Sequence, residues 1–203
     1  MCIRDRAERG FSFMREGPLD MRMEQGGGPT ARDAVLNLSV DELTQIFKVY
    51  GEEKRARHVA NCILSAREAG DIQTTTDLAG ILEQALGRRG KTHPATRVFQ
   101  ALRIFINDEL GELYRGLCAA ENLLKPGGRL VVVTFHSLED RIVKQFVARH
   151  SRAVFDRRAP FAAPAPVRLE ALARVRPGAL ELAANPRARS AVLRVARRTD
   201  VPA

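Results

Sequence analysis

At 203 residues, 45% apolar and 28% charged, the chain is long enough for one domain, or one domain with a small insertion, and apolar enough to fill a core. No apolar run is long enough to span a membrane, and Arg4, Asp5, Arg6, Glu8 and Arg9 exclude the apolar core of a signal peptide. Cys2, Cys62 and Cys118 are too few and too scattered for a disulfide framework or a metal cluster, and read as reduced thiols in packed positions. The net charge of +9 sits at one end: residues 141–203 hold 14 Lys+Arg against 4 Asp+Glu, whereas residues 1–140 hold 19 against 20. A basic C-terminal third points to a polyanionic partner, RNA or DNA, or else to an arginine-rich proteome.

In chain order, the opening MCIRDR fits nothing that follows and reads as a non-native leader. Residues 11–30, rich in Gly, Pro and Met, read as loop. Ser39 with Glu42 makes a capping box, after which Leu43, Ile46, Phe47 and Tyr50 recur at helical spacing up to Gly51. A second helix carries Ala56, Val59, Ala60, Ile63 and Leu64 to Gly70, and a third starts near Thr74–Asp77 and carries Leu78, Ile81, Leu82 and Ala85. The basic run Gly87–Lys91 reads as a flexible exit from this helical unit. Pro94 opens a long helix with the stripe Phe99, Leu102, Ile106, Leu110, Leu113 and Leu117. After the turn Lys125–Gly128, the apolar run Arg129–Phe135 reads as a buried strand of a parallel sheet, followed by a helix through Ile142, Val143, Phe146 and Val147. Residues 152–170 read as irregular, and Leu172–Arg176 and Ala191–Ala196 as the last two strands. The succession implies an α/β sheet with a helical insertion.

Ligands bind at the carboxyl ends of strands in open α/β sheets, which singles out His136, Ser137, Glu139, Asp140 and Arg141. The same stretch also reads as a helix start, with Ser137 as N-cap and the two acids in the first turn. Thr96, Gln100, Arg103 and Asn107 share one helix face, which periodicity alone assigns to solvent. Gly17–Met23 mixes turn formers with Asp20 and two thioethers. Arg187 and Arg189, just before the last strand, suit the gripping of phosphates.

Taken together, RGFSFMREGPLDMRM, YGEE, HPATRVFQALRIFINDELGEL, LLKPGGRLVVVTFHSLEDRIVK and NPRARSAVLRVA, in that order and spacing, resemble the RsmH/MraW family of small-subunit (16S) ribosomal RNA cytidine N(4)-methyltransferases, from about Ala7 to Thr199. The resemblance implies the C-terminal part of a Rossmann-like S-adenosylmethionine-dependent methyltransferase sheet with a small helical domain inserted in it. The implied division is a leader at 1–6, a target-site loop at 7–30, the inserted helical domain at 31–92 and the C-terminal half of the methyltransferase domain at 93–203. It implies His136 and Ser137 near the target base, Asp20 and Arg22 in the target loop, Arg97, Gln100, Arg103 and Asn107 along the pocket wall, and Arg187 and Arg189 on the RNA backbone. The family's S-adenosylmethionine motifs, a GRGGHS-type glycine loop above all, do not occur here. The cofactor site is therefore expected upstream, no cofactor-binding residue is carried over, and the 203 residues alone are expected to be inactive. The implied partners are 16S ribosomal RNA and the small ribosomal subunit, in the cytoplasm, with no membrane and no metal, and with a homodimer as a further expectation. A different class, a non-catalytic RNA-binding or assembly module using the basic tail and helical insert, stays open.

Overall fold

A computed structural model describes residues 6–88, 92–152 and 166–201. The chain divides into two compact units, residues 1–109 and 110–203.

The first unit is built from five helices: α1 (Ala31–Asn37), α2 (Val40–Val49), α3 (Ala56–Ala69), α4 (Thr75–Leu86) and α5 (Ala95–Ile106). Local chemistry starts three of them. Thr30 with Asp33, Ser39 with Glu42 and Thr74 with Asp77 form reciprocal capping boxes, each satisfying helix-end amides that would otherwise lack partners. The inward faces then share one core, with Leu43, Phe47, Val59, Ile63, Leu78, Leu82, Val98 and Leu102 all buried. The loop ahead of α1 is part of that core, because Leu19 and Met21 are buried in it. Gly51 is required by close approach. A Cβ there would sit 2.7 Å from both Phe47 O and Arg97 O, so only glycine lets the end of α2 lie against α5.

Two expectations change here. Ala95–Ile106, expected with the C-terminal half, packs into this helical core, because Ala95, Val98, Phe99, Ala101 and Leu102 bury against it. The long helix expected from Pro94 is also broken: α5 stops at Ile106, Asp108 takes a left-handed conformation (φ 44°), and α6 (Glu109–Leu123) begins. Asn and Asp tolerate such turns better than other residues, and the apolar stripe continues across the break without recording it.

The second unit contains the rest of α6, then β1 (Arg129–Thr134), α7 (Ser137–Ser151), β2 (Leu169–Val175), α8 (Ala179–Ala184) and β3 (Val192–Arg198). Its sheet has the order β1-β3-β2, with both pairings antiparallel. Leu117, Leu130, Val143, Phe146, Val147, Leu169 and Ala196 form its core. β1 departs from the fully buried parallel strand expected of it. Its strand partner among the described residues is β3, and Val131 and Val133 are 54% and 48% exposed. A run of valines satisfies a strand's backbone preference whether one face or both are covered. β2 begins three residues earlier than expected, and α8 was not foreseen. Among the described residues, no helix is long and apolar enough to cross a membrane. Cys62 and Cys118 are free and partly buried. The expected leader at 1–6 lies outside the described residues except for Arg6, as do most of the Gly87–Lys91 exit and much of the 152–170 stretch.

Candidate functional site

In the second unit the site is built on the junction between β1 and α7. Thr134, the last residue of β1, is buried, pairs with Val192 and donates its hydroxyl to Val192 O at 3.2 Å. His136, not Ser137, is the N-cap of α7. Its backbone is extended (φ −143°, ψ 166°), and its Nδ1 accepts from Glu139 N at 3.4 Å. The Glu139 carboxylate returns the interaction, accepting from Phe135 N at 2.7 Å and His136 N at 3.2 Å. A histidine side chain thus does what Ser or Asp ordinarily does at this position. With Nδ1 accepting, the proton of the neutral ring belongs on Nε2. That atom is buried and lies 3.2 Å from Glu139 Oε1, at an angle that makes no good hydrogen bond. Burial opposes ionisation of Glu139, but the close approach of the His136 ring and the bonds from the two amides outweigh it and hold the carboxyl down at about 2. Ser137 is exposed at the first position of α7. Asp140, one residue beyond Glu139, is held bidentate by Arg194 of β3 (2.7 and 3.0 Å), which lowers its ionisation below the usual carboxylate range.

Arg187 and Arg189 lie on the 3-10 turn Pro186–Ser190, both exposed, with buried Ala188 between them as the anchor. Because Thr134 pairs with Val192, this turn opens at the same end of the sheet as His136 and Ser137.

In the first unit the polar residues on α5 act as fasteners. Arg97 donates to Glu52 O (3.4 Å) and Gln100 to Tyr50 O (3.2 Å), so these two hold the YGEE turn. Arg103 closes bidentate on Glu109 at 2.7 and 2.9 Å. Asn107 uses both ends of its amide on the loop, donating to Met21 O at 2.7 Å and accepting from Met23 N at 2.7 Å. Asp20 and Arg22 are paired with each other at 2.7 and 3.0 Å, which lowers the Asp20 carboxyl. Arg9, which the sequence pattern does not single out, donates to Arg22 O and Met23 O at 2.6 and 2.8 Å. The face that periodicity assigns to solvent is therefore tied to two turns. Asn107→Ala is expected to release the loop. Amide exchange at Met23 should rise roughly fivefold or more while the α2 and α3 amides stay protected, since one well-formed bond of this kind contributes about 1 kcal/mol or more. Equal protection of Met23 in both proteins would show that the loop is held by its other contacts.

Sequence reasoning missed Glu139 as the partner of His136, Asp140 as the partner of Arg194, and Arg9. The three-residue spacing of His136 and Glu139 was the available signal, hidden because histidine is not an expected cap. For a nucleotide-like cofactor, the β1–α7 junction, Phe135-His136, carries no glycine that would let backbone approach a ligand closely.

The MraW methylase family model matches residues 1–199. Among curated relatives, a protein of Methylibium petroleiphilum named ribosomal RNA small subunit methyltransferase H is 58% identical over 199 residues, covering 97% of this chain and 63% of that protein. Proteins of the same name from Paracidovorax citrulli and Delftia acidovorans are 56% and 54% identical, each over 98% of this chain and 65% of theirs. The chain thus spans just under two thirds of the length of these relatives. By the extent of these matches the chain belongs to the MraW methylase family.

Proposed function

We propose that the complete protein transfers a methyl group from S-adenosylmethionine to the exocyclic N4 of a cytidine in 16S ribosomal RNA, in the cytoplasm. The observation that carries this reading is the gathering of His136, Ser137, Arg187 and Arg189 at one end of the sheet, in a chain of this family. The relatives' names support methylation of small-subunit ribosomal RNA; the cytidine N4 target is the finer part of the proposal.

In this reading Arg187 and Arg189 hold the RNA backbone, and the target base is unstacked to reach the β1 edge. The amine of cytosine is a poor nucleophile because its lone pair is delocalised into the ring, so positioning does most of the work. His136 and Ser137 orient the base. With Nδ1 committed to the helix cap, His136 serves through Nε2. Asp20, Arg22, Arg97, Gln100, Arg103 and Asn107 shape the loop and turn that this reading assigns to the target.

A chimaera carrying the upstream third of the Methylibium relative ahead of residues 7–203 tests this. It is expected to transfer labelled methyl to 16S RNA. Arg187→Ala with Arg189→Ala should weaken RNA binding and lower the salt slope by about 0.7 per lost contact with a single strand, leaving cofactor affinity unchanged. RNA binding without any methyl transfer would favour the assembly-module reading instead.

A further inference from the structure

The same end of the sheet carries cations that neither the motif blocks nor the fold required. β2 and β3 are antiparallel, with Arg174 opposite Arg194 and Val175 opposite Leu193. The C-terminal end of β2 therefore lies where β3 begins, beside the turn Pro186–Ser190 and the end of β1. Residues opposite each other on paired strands share a face, and so do residues two apart on one strand. Arg174 and Arg194 thus point to the side on which α7 packs. Arg176 continues that side, because Pro177 holds the residue before it extended.

Like charges placed directly opposite destabilise a strand pair unless an anion lies between them. Asp140 provides one, but its two oxygens are taken by Arg194 at 2.7 and 3.0 Å. Arg174 and Arg176 also lie near enough to lower the Asp140 carboxyl. One carboxylate balances one guanidinium, so two positive charges remain. Both arginines are exposed, and neither closes an ion pair with another described residue. Their positions along the chain are about 7 Å apart, a spacing suited to successive phosphates of one extended strand. Arginine binds phosphate in planar, bidentate fashion, which favours a phosphodiester over a carboxylate partner.

We propose that Arg174 and Arg176 bind RNA phosphates and, with Arg187 and Arg189, hold the strand flanking the nucleotide presented at the β1 edge. The identity of that RNA rests on the ribosomal RNA methyltransferase reading; the binding of phosphates by these two arginines does not.

The test uses the 203-residue chain and a short single-stranded RNA, with binding followed by fluorescence anisotropy between about 50 and 200 mM salt. Arg174→Gln with Arg176→Gln is expected to weaken binding roughly tenfold and to lower the salt slope by about 1.4, or 0.7 for each of two contacts. Arg32→Gln with Lys48→Gln, which removes equal charge from the helical unit, should change affinity less than about twofold. Melting temperatures of both double variants should match the parent, since exposed side chains are replaced. An unchanged slope, an equal loss in the control variant, or no RNA binding by the parent chain would overturn the proposal. Displacement of RNA by polyglutamate as effectively as by an RNA of equal charge would also overturn it, pointing to an acidic protein partner. Methyl transfer by the chimaera is scored separately: a chimaera without transfer but with the expected loss of slope would remove the enzymatic reading and leave the arginine pair standing.

Discussion

Glu121→Ala is expected to lower the stability of the second unit by about 3 kcal/mol, because it breaks a buried charge cluster and strands its partners. Glu121, on α6, is only 2% exposed. It lies 3.2 Å from His150 Nδ1 near the end of α7 and 3.1 Å from Arg168 Nε just before β2. Arg168 NH2 is 3.2 Å from His150 Nε2, and since arginine only donates, His150 accepts there and carries its proton on Nδ1, facing Glu121. Arg168 also fastens the chain around it, donating its amide to His150 O and accepting from Thr199 N and the Arg198 guanidinium. The carboxylate therefore joins α6, α7, and the strands on either side of Arg168 and Thr199. Glu121 Oε1 sits at ion-pair distance from Arg168 Nε without an in-line hydrogen bond, so that attraction is chiefly charge against charge.

For a chain of this length the loss corresponds to a fall in melting temperature of roughly 6–12 °C. Glu121→Gln, which keeps the shape and one acceptor, should lose less. A melting temperature for Glu121→Ala within about 1 °C of the parent would show that solvent replaces the carboxylate without cost. The cluster also sets a pH dependence. Burial pushes the His150 ionisation below its ordinary value, Glu121 pulls it back up, and Arg168 and Arg149 push it down further. A histidine with a lowered folded value binds its proton less readily folded than unfolded, so stability is lost as pH falls below about 6.5. Without Glu121 that acid loss should be steeper.

The second large effect is expected at His136. In the chimaera, His136→Ala should lower the single-turnover rate of methyl transfer by roughly 10²-fold, because the ring positions the base through its Nε2 proton. The structure adds a cost in stability, because the ring is also the cap of α7 and its loss should remove about 1 kcal/mol. The two roles separate with His136→Asn. Asparagine is a good cap, so the melting temperature should recover, but it places no nitrogen where Nε2 lies, so turnover should stay low. Recovery of both by asparagine would reduce His136 to a structural residue and move attention to Ser137.

How legible this was in the sequence differs from element to element. The capping box at Ser39 was readable because two side chains at fixed spacing announce it, the helix start at Thr74–Asp77 was placed correctly, and the core faces of α2, α3 and α4 followed from period. The break at Asn107–Asp108 was not, since it turns on one left-handed residue and on an Asn side chain reaching a loop 84 residues earlier in the chain. The exposed face of β1 was hidden because valines look alike covered or bare. At the site, position was readable from the strand that precedes His136. Partnership was not: Glu139, Arg194 and the fastening of Asn107 depend on contacts that no local pattern encodes.

The most direct test of the central claim is to let the chimaera methylate undermethylated small ribosomal subunits with isotopically labelled S-adenosylmethionine, digest the RNA to nucleosides and identify the labelled species by mass spectrometry. Label is expected in N4-methylcytidine from one site in 16S RNA, reduced when Arg187 and Arg189 are both alanine; label on another base or another atom of cytidine, or none with the cofactor demonstrably bound, would contradict the claim.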